Sequence, residues 1–110
     1  ELLRALRDHG HQGVEVRYED IVSTYGRGRR ITAGGVSLTD APALIARIIP
    51  DGSLEQLIAR VDVLHTLEER GAYVLNSAAA LERTVDKSWT TALLDAAGLP
   101  TPRTVVCETV

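Results

Sequence analysis

Residues 71–104 read Gly71-Ala-Tyr-Val-Leu-Asn-Ser-Ala-Ala-Ala-Leu-Glu-Arg-Thr-Val-Asp-Lys-Ser-Trp-Thr-Thr-Ala-Leu-Leu-Asp-Ala-Ala-Gly-Leu-Pro-Thr-Pro-Arg-Thr104, and their punctuation sets the fold. Ala72-Tyr73-Val74-Leu75 is a short run of β-formers, and Asn76-Ser77 after it supplies side-chain oxygens that cap a helix N-terminus. The next helix runs from Ala78 to about Val85. A second begins near Lys87 and runs to Ala97, where Gly98 can take the left-handed conformation that ends a helix and Pro100 prevents its continuation. Arg103-Thr104-Val105-Val106-Cys107 then reads as a strand.

Working outward toward the N-terminus, Ser53 and Gln56 have the spacing of a capping box, which satisfies two free backbone N–H groups at once. Leu54, Leu57, Ile58, Val61, Leu64 and Leu67 follow at helical spacing, with Glu55, Arg60, Asp62 and Glu68 mainly off that face and Gly71 as the stop. Ala43-Leu44-Ile45-Ala46-Arg47-Ile48-Ile49 is nearly all apolar and ends at Pro50-Asp51-Gly52, the pattern of a strand buried on both faces in a parallel sheet. Residues 23–40 hold Gly26, Gly28, Gly34 and Gly35 between brief β-formers, which predicts a hairpin excursion. Val14-Glu15-Val16-Arg17-Tyr18 alternates with period two, as a half-buried strand does. Residues 1–10 carry apolar side chains at 2, 3 and 6 and end in glycine, which predicts a helix.

The predicted order is α-β-(hairpin)-β-α-β-α-α-β. Strands alternating with helices imply parallel βαβ units with right-handed crossovers, so the fold class is α/β. The chain opens on a helix without a methionine, which leads to the expectation that a first strand precedes residue 1. No internal repeat or low-complexity tract is present.

With 110 residues, 45% hydrophobic and 25% charged, the chain can bury one core but not two full ones. A formal net charge of −3 argues against nucleic acid as a partner, because such binding rests on a basic field. Apolar runs of a few residues are far short of the roughly 20 that span a bilayer, so no membrane association is expected. Residues 1–10 read as an amphipathic helix with charges on one side, so a signal peptide is not expected there, and the single cysteine, Cys107, can form neither an internal disulfide nor a zinc cluster. A cytoplasmic location is the expectation. Eleven of the twelve basic residues are arginine, and the one lysine is Lys87. A site that keeps lysine in such a chain has reason to need a compact ammonium in place of a planar fork.

Residue types alone give no catalytic constellation and no metal site. His9, His11 and His65 are scattered without partner ligands and read as structural or surface residues. Neither a P-loop nor a G-x-G-x-x-G string occurs. The cluster Tyr25-Gly26-Arg27-Gly28-Arg29-Arg30 reads as a solvated hairpin tip, in which glycine makes the turn and arginine keeps an edge soluble. Contact with phosphate or an acidic substrate is its alternative reading.

In the ordered set Asn76-Ser77, Asp86-Lys87, Thr91 and Ala97-Gly98-Leu99-Pro100-Thr101-Pro102, the sequence resembles the ATP-grasp superfamily and its RimK-type glutamate ligase branch. The resemblance implies a three-layer, Rossmann-like pre-ATP-grasp domain with a mostly parallel sheet over residues 1–85. Residues 86–110 would then open the ATP-grasp domain. It further implies an ATP-dependent carboxylate–amine ligase that works through an acylphosphate, with small-molecule or peptide carboxylate and amine substrates. Magnesium would be its metal, held by ligands beyond Val110 along with the glycine-rich lid, and the 110 residues alone are expected to be inactive. A homo-oligomer is left open. At the position matching Lys87 the family has a lysine that approaches the nucleotide phosphates; the plainer reading is a solvated first-turn residue. Arg47, a charge on an apolar strand, could hold an acidic acceptor at a strand end or pair with Asp51. Trp89 reads as a packing residue between domains. The competing class is a non-catalytic flavodoxin-like or receiver-like module that binds a partner, although Asp20, Asp40 and Asp51 lack the grouping a receiver needs.

Overall fold

The computed structural model describes residues 1–109. It is an α/β fold with helices and a parallel strand pair, and it divides into two compact units, Glu1–Pro42 and the chain from Ala43 onward.

In the first unit, helix α1 spans Leu2–Asp8. Its end is fixed by Gly10, whose N–H reaches Arg7 O at 2.9 Å while His11 N–H reaches Leu6 O at 2.9 Å. This pair of bonds satisfies two orphan carbonyls and needs a positive φ at the glycine, here 78°. Gly13 lies against Leu3 and Leu6, close enough that a Cβ there would come within 2.7 Å of Leu6.

The strand expected over Val14–Tyr18 does not form. Alternation marks a pleated surface, but a strand also needs a neighbour's hydrogen bonds, and no described residue supplies them to residues 14–17. Tyr18–Asp20 instead makes a 3₁₀ turn closed by Asp20 N–H on Arg17 O. The predicted hairpin excursion is an antiparallel meander of β1 (Ile21–Thr24), β2 (Arg30–Ala33) and β3 (Val36–Ser37). Gly34 and Gly35 join β2 to β3 with φ of 55° and 83°, the double positive φ of a tight hairpin turn matched to strand twist. Ile31, Ala33 and Leu38 are buried in this unit. Thr39 fastens the exit by accepting from Ile31 N–H at 2.7 Å and donating to Ile31 O at 3.2 Å.

The second unit holds β4 (Ala43–Ile45), α2 (Leu54–Glu69), β5 (Tyr73–Leu75), α3 (Ala78–Val85) and α4 (Lys87–Ala96). Strands β4 and β5 pair in parallel, Leu44 opposite Val74, with α2 as the crossover. Their inward face meets the helices in a core of Ala46, Leu64, Val74, Ala78 and Leu81. Strand β4 is shorter than the run 43–49 predicted. The ladder continues only as far as Ala46 N–H on Leu75 O, and Ile48 is 82% exposed. The strand expected over residues 103–107 is likewise unpaired.

Helix α2 begins with the expected capping box: Gln56 N–H donates to Ser53 Oγ, and Ser53 N–H donates to Gln56 Oε1. It buries Val61, Val63, Leu64 and Leu67. Leu54 and Ile58, assigned to the same face from their spacing, are exposed; the buried residues of α2 begin at Val61. Gly71 and Gly98 stop α2 and α4 as Gly10 stops α1, with Ala72 N–H on Leu67 O and Leu99 N–H on Leu94 O.

Candidate functional site

The second unit carries a cleft of about 300 Å³ just past the C-terminal end of β4. One wall is the segment after β4, with Arg47, Ile49 and Asp51; the other is the end of α3 and the start of α4, with Leu81, Thr84 and Lys87. In open α/β sheets the crevice beyond the carboxyl ends of parallel strands is where ligands bind, because loops converge there without a packed layer above them.

Each wall is held by identifiable bonds. Arg60, nearly two turns into α2, donates from Nη1 to Pro50 O at 2.6 Å and to Asp51 O at 3.3 Å. That clamp and the capping box fix the turn 50–53. On the other side Asp86 both ends α3 and caps α4, its Oδ1 accepting from Trp89 N–H at 2.8 Å. Thr90 Oγ1 lies between Arg83 O and Asp86 O and shares its one proton between the two carbonyls, which ties the junction together. Lys87 is therefore the first residue of α4, on a corner with little freedom.

Arg47 and Lys87, from different elements, line the same cleft. Both are exposed, and neither forms an ion pair among the described residues, so Arg47 does not pair with Asp51. A lysine in a first helical turn stands at the positive end of the macrodipole, which costs a few tenths of a kcal/mol unless an anion offsets it, roughly 0.3–1 kcal/mol. Two cations, one carboxylate and an apolar floor can accept an anionic group with a short apolar stem. At about 300 Å³ the cleft is at the small end of the range for ligand pockets. It can take a phosphate or carboxylate group between Arg47 and Lys87. Among the described residues there is no cluster of three His, Cys, Asp or Glu that could hold a metal ion.

Trp89, exposed on α4, does not line the cleft. His65 is tied to structure, its Nε2 lying 3.2 Å from Glu82 Oε2 across α2 and α3, while His9 Nδ1 lies 2.9 Å from Ala5 O. Sequence reasoning missed Arg60, whose place off the apolar face of α2 marked it only as solvated. No helix of the described residues is long and apolar enough to cross a membrane.

No family model matches the chain. Among curated proteins it is similar to the tetrahydromethanopterin:alpha-L-glutamate ligase of Methanosarcina acetivorans, with 40% identity over 78 residues. The match covers 71% of this chain and 24% of that relative, so the chain spans about a quarter of the length of the curated protein it matches. Together with the resemblance in residues 71–104, this match points to the ATP-grasp, RimK-like ligases.

Proposed function

We propose that this chain is the amino-terminal portion of an ATP-dependent carboxylate–amine ligase of the RimK type, one that adds glutamate. Residues 1–85 would form the pre-ATP-grasp domain and residues 86–110 the start of the ATP-grasp domain. The observation that carries the reading is the 40% identity with a glutamate ligase over most of this chain. The geometry supports it, since Arg47 and Lys87 line one cleft at the end of a parallel strand.

In this reading the γ-phosphoryl group of ATP passes to a substrate carboxylate, releasing ADP and giving an acylphosphate. The amine of glutamate attacks the acyl carbon, phosphate leaves, and the amine proton goes to solvent or base. Lys87 holds a phosphate oxygen, as a point charge on a flexible stem can. Arg47 holds a carboxylate by its two-pronged guanidinium. Their task is to bring two anions together, which concentrates reactants that otherwise repel.

The test is the full-length protein with ATP, an acceptor carboxylate and hydroxylamine in place of the amine. A ligase of this kind releases ADP only when the carboxylate is present and yields a hydroxamate. ADP release independent of any carboxylate, without hydroxamate, rejects the reading.

A further inference from the structure

The β1–β2 hairpin carries a concentration of charge that the proposed ligase chemistry does not use. Its tip, residues 25–29, and the first residue of β2 read Tyr25-Gly26-Arg27-Gly28-Arg29-Arg30, all exposed. From Ile21 to Thr39 there is no aspartate or glutamate, so these 19 positions hold three positive charges and no negative one in a chain of net charge −3. Of the carboxylates flanking this stretch, Glu19 lies 3.6 Å from Arg17 and Asp40 accepts from Ser37 Oγ at 2.6 Å. Among the described residues neither Arg27 nor Arg30 forms an ion pair. Gly26 and Gly28 take φ of 105° and 94°, and a Cβ built on either meets nothing within 4 Å, so the tip stands in open space.

Solubility alone does not call for this arrangement, because an edge is kept soluble as well by mixed charges as by three of one sign. Arg27 and Arg30, at most about 11 Å apart along extended chain, are cations that repel one another. A multivalent anion removes that repulsion and gains two-pronged hydrogen bonds to phosphate or carboxylate oxygens. We infer that the tip of the β1–β2 hairpin is a binding site for a small polyanion bearing two or more phosphate or carboxylate groups, with Arg27 and Arg30 as its principal contacts. The site belongs to the first unit and is separate from the Arg47–Lys87 cleft in residues and in test.

Calorimetric titration of the full-length protein with tripolyphosphate and, separately, with citrate tests the site. The variants are Arg27→Gln/Arg29→Gln/Arg30→Gln, the same three residues changed to lysine, and Arg47→Gln/Lys87→Gln, each checked for native circular dichroism. The site predicts binding that weakens about tenfold or more in the glutamine triple variant. The lysine triple variant, which keeps charge but not the fork, falls between. The Arg47/Lys87 variant retains the hairpin's binding whether or not the ligase reading holds. Binding also weakens as salt shortens the screening length from about 30 Å at 0.01 M to about 10 Å at 0.1 M. Response to tripolyphosphate alone assigns a phosphate-bearing ligand, response to citrate alone a polycarboxylate, and either supports the site. Absence of binding in the Arg47→Gln/Lys87→Gln variant, binding in that variant which adding the glutamine triple change does not weaken, or binding to an oligonucleotide but to neither probe overturns it.

Discussion

Arg60 Nη1 donates to Pro50 O at 2.6 Å, and this one bond joins the crossover helix to the turn that forms a wall of the cleft. A second bond from the same nitrogen to Asp51 O, at 3.3 Å, spreads the clamp over two residues. Arg60→Ala removes both and leaves two carbonyls to water. Because the site is only partly buried, the expected cost is about 1.5 kcal/mol in urea denaturation, the low end for bonds to a charged donor. Arg60→Lys should recover part of it, since a rotatable ammonium has no planar fork. If Arg60→Ala leaves the denaturation midpoint unchanged, the clamp contributes nothing.

Gly52 sits inside that clamp for a steric reason. A Cβ there would lie 2.6 Å from Gln56 Oε1 and 3.1 Å from Arg60 Nη1. Gln56 could swing away only by giving up its bond to Ser53 N–H, so Gly52→Ala should behave like the loss of half a capping box. Gly52→Ala and Ser53→Ala should each cost about 1 kcal/mol and be less than additive when combined, because both break the same pair of bonds. Full additivity would show that the glycine matters for another reason.

Burial separates two leucines that periodicity placed on one face. Leu64 is 4% exposed in the core with Val74 and Leu81, whereas Leu54 is 66% exposed. Leu64→Ala should destabilise by about 2–5 kcal/mol, and Leu54→Ala by no more than about 0.5 kcal/mol. Equal losses would mean that the first turns of α2 are covered in solution.

Glu55, in the first turn of α2, has its carboxyl held below the usual value of 4.5, first by its own backbone N–H and then by the Ser53 hydroxyl. Since the folded value is the lower one, the folded chain favours the charged form. The stabilisation is present above the unfolded value and is lost as pH falls through the folded one. Stability measured across the acid range below 4.5 should therefore fall less steeply in Glu55→Gln than in the parent. Parallel curves would show that those two bonds do not favour the charged carboxylate.

The helices were legible because each carries its own punctuation: Ser53 with Gln56, Asn76-Ser77, and glycines 10, 71 and 98 at the three stops. Strands were legible only where a partner exists. The alternation of residues 14–18 and the β-formers of 103–107 describe a surface, and no described strand offers either the hydrogen bonds that complete it. The same limit made β4 end at Ile45 when its apolar run goes on to Ile49. Arg47 and Lys87 were picked out singly, one as a charge among apolar residues and one as the lone lysine. That they line the same cleft depends on the direction in which the α3–α4 corner at Asp86 turns the chain, which no local pattern displays. Arg60 stayed hidden because its partners are backbone carbonyls, which have no letter in the sequence.

The most direct measurement is ATP titration of the full-length protein beside its Lys87→Ala variant, with thermal unfolding as the control. Lys87 is exposed and opens a helix, so its removal leaves no cavity and should change stability by under about 0.5 kcal/mol. Loss of one charge-assisted phosphate contact costs on the order of 1.5–3 kcal/mol, which reads as a ten- to hundredfold weaker affinity for ATP in a protein that melts like the parent. An affinity equal to the parent's, at equal stability, would contradict the account and leave Lys87 a solvated first-turn residue.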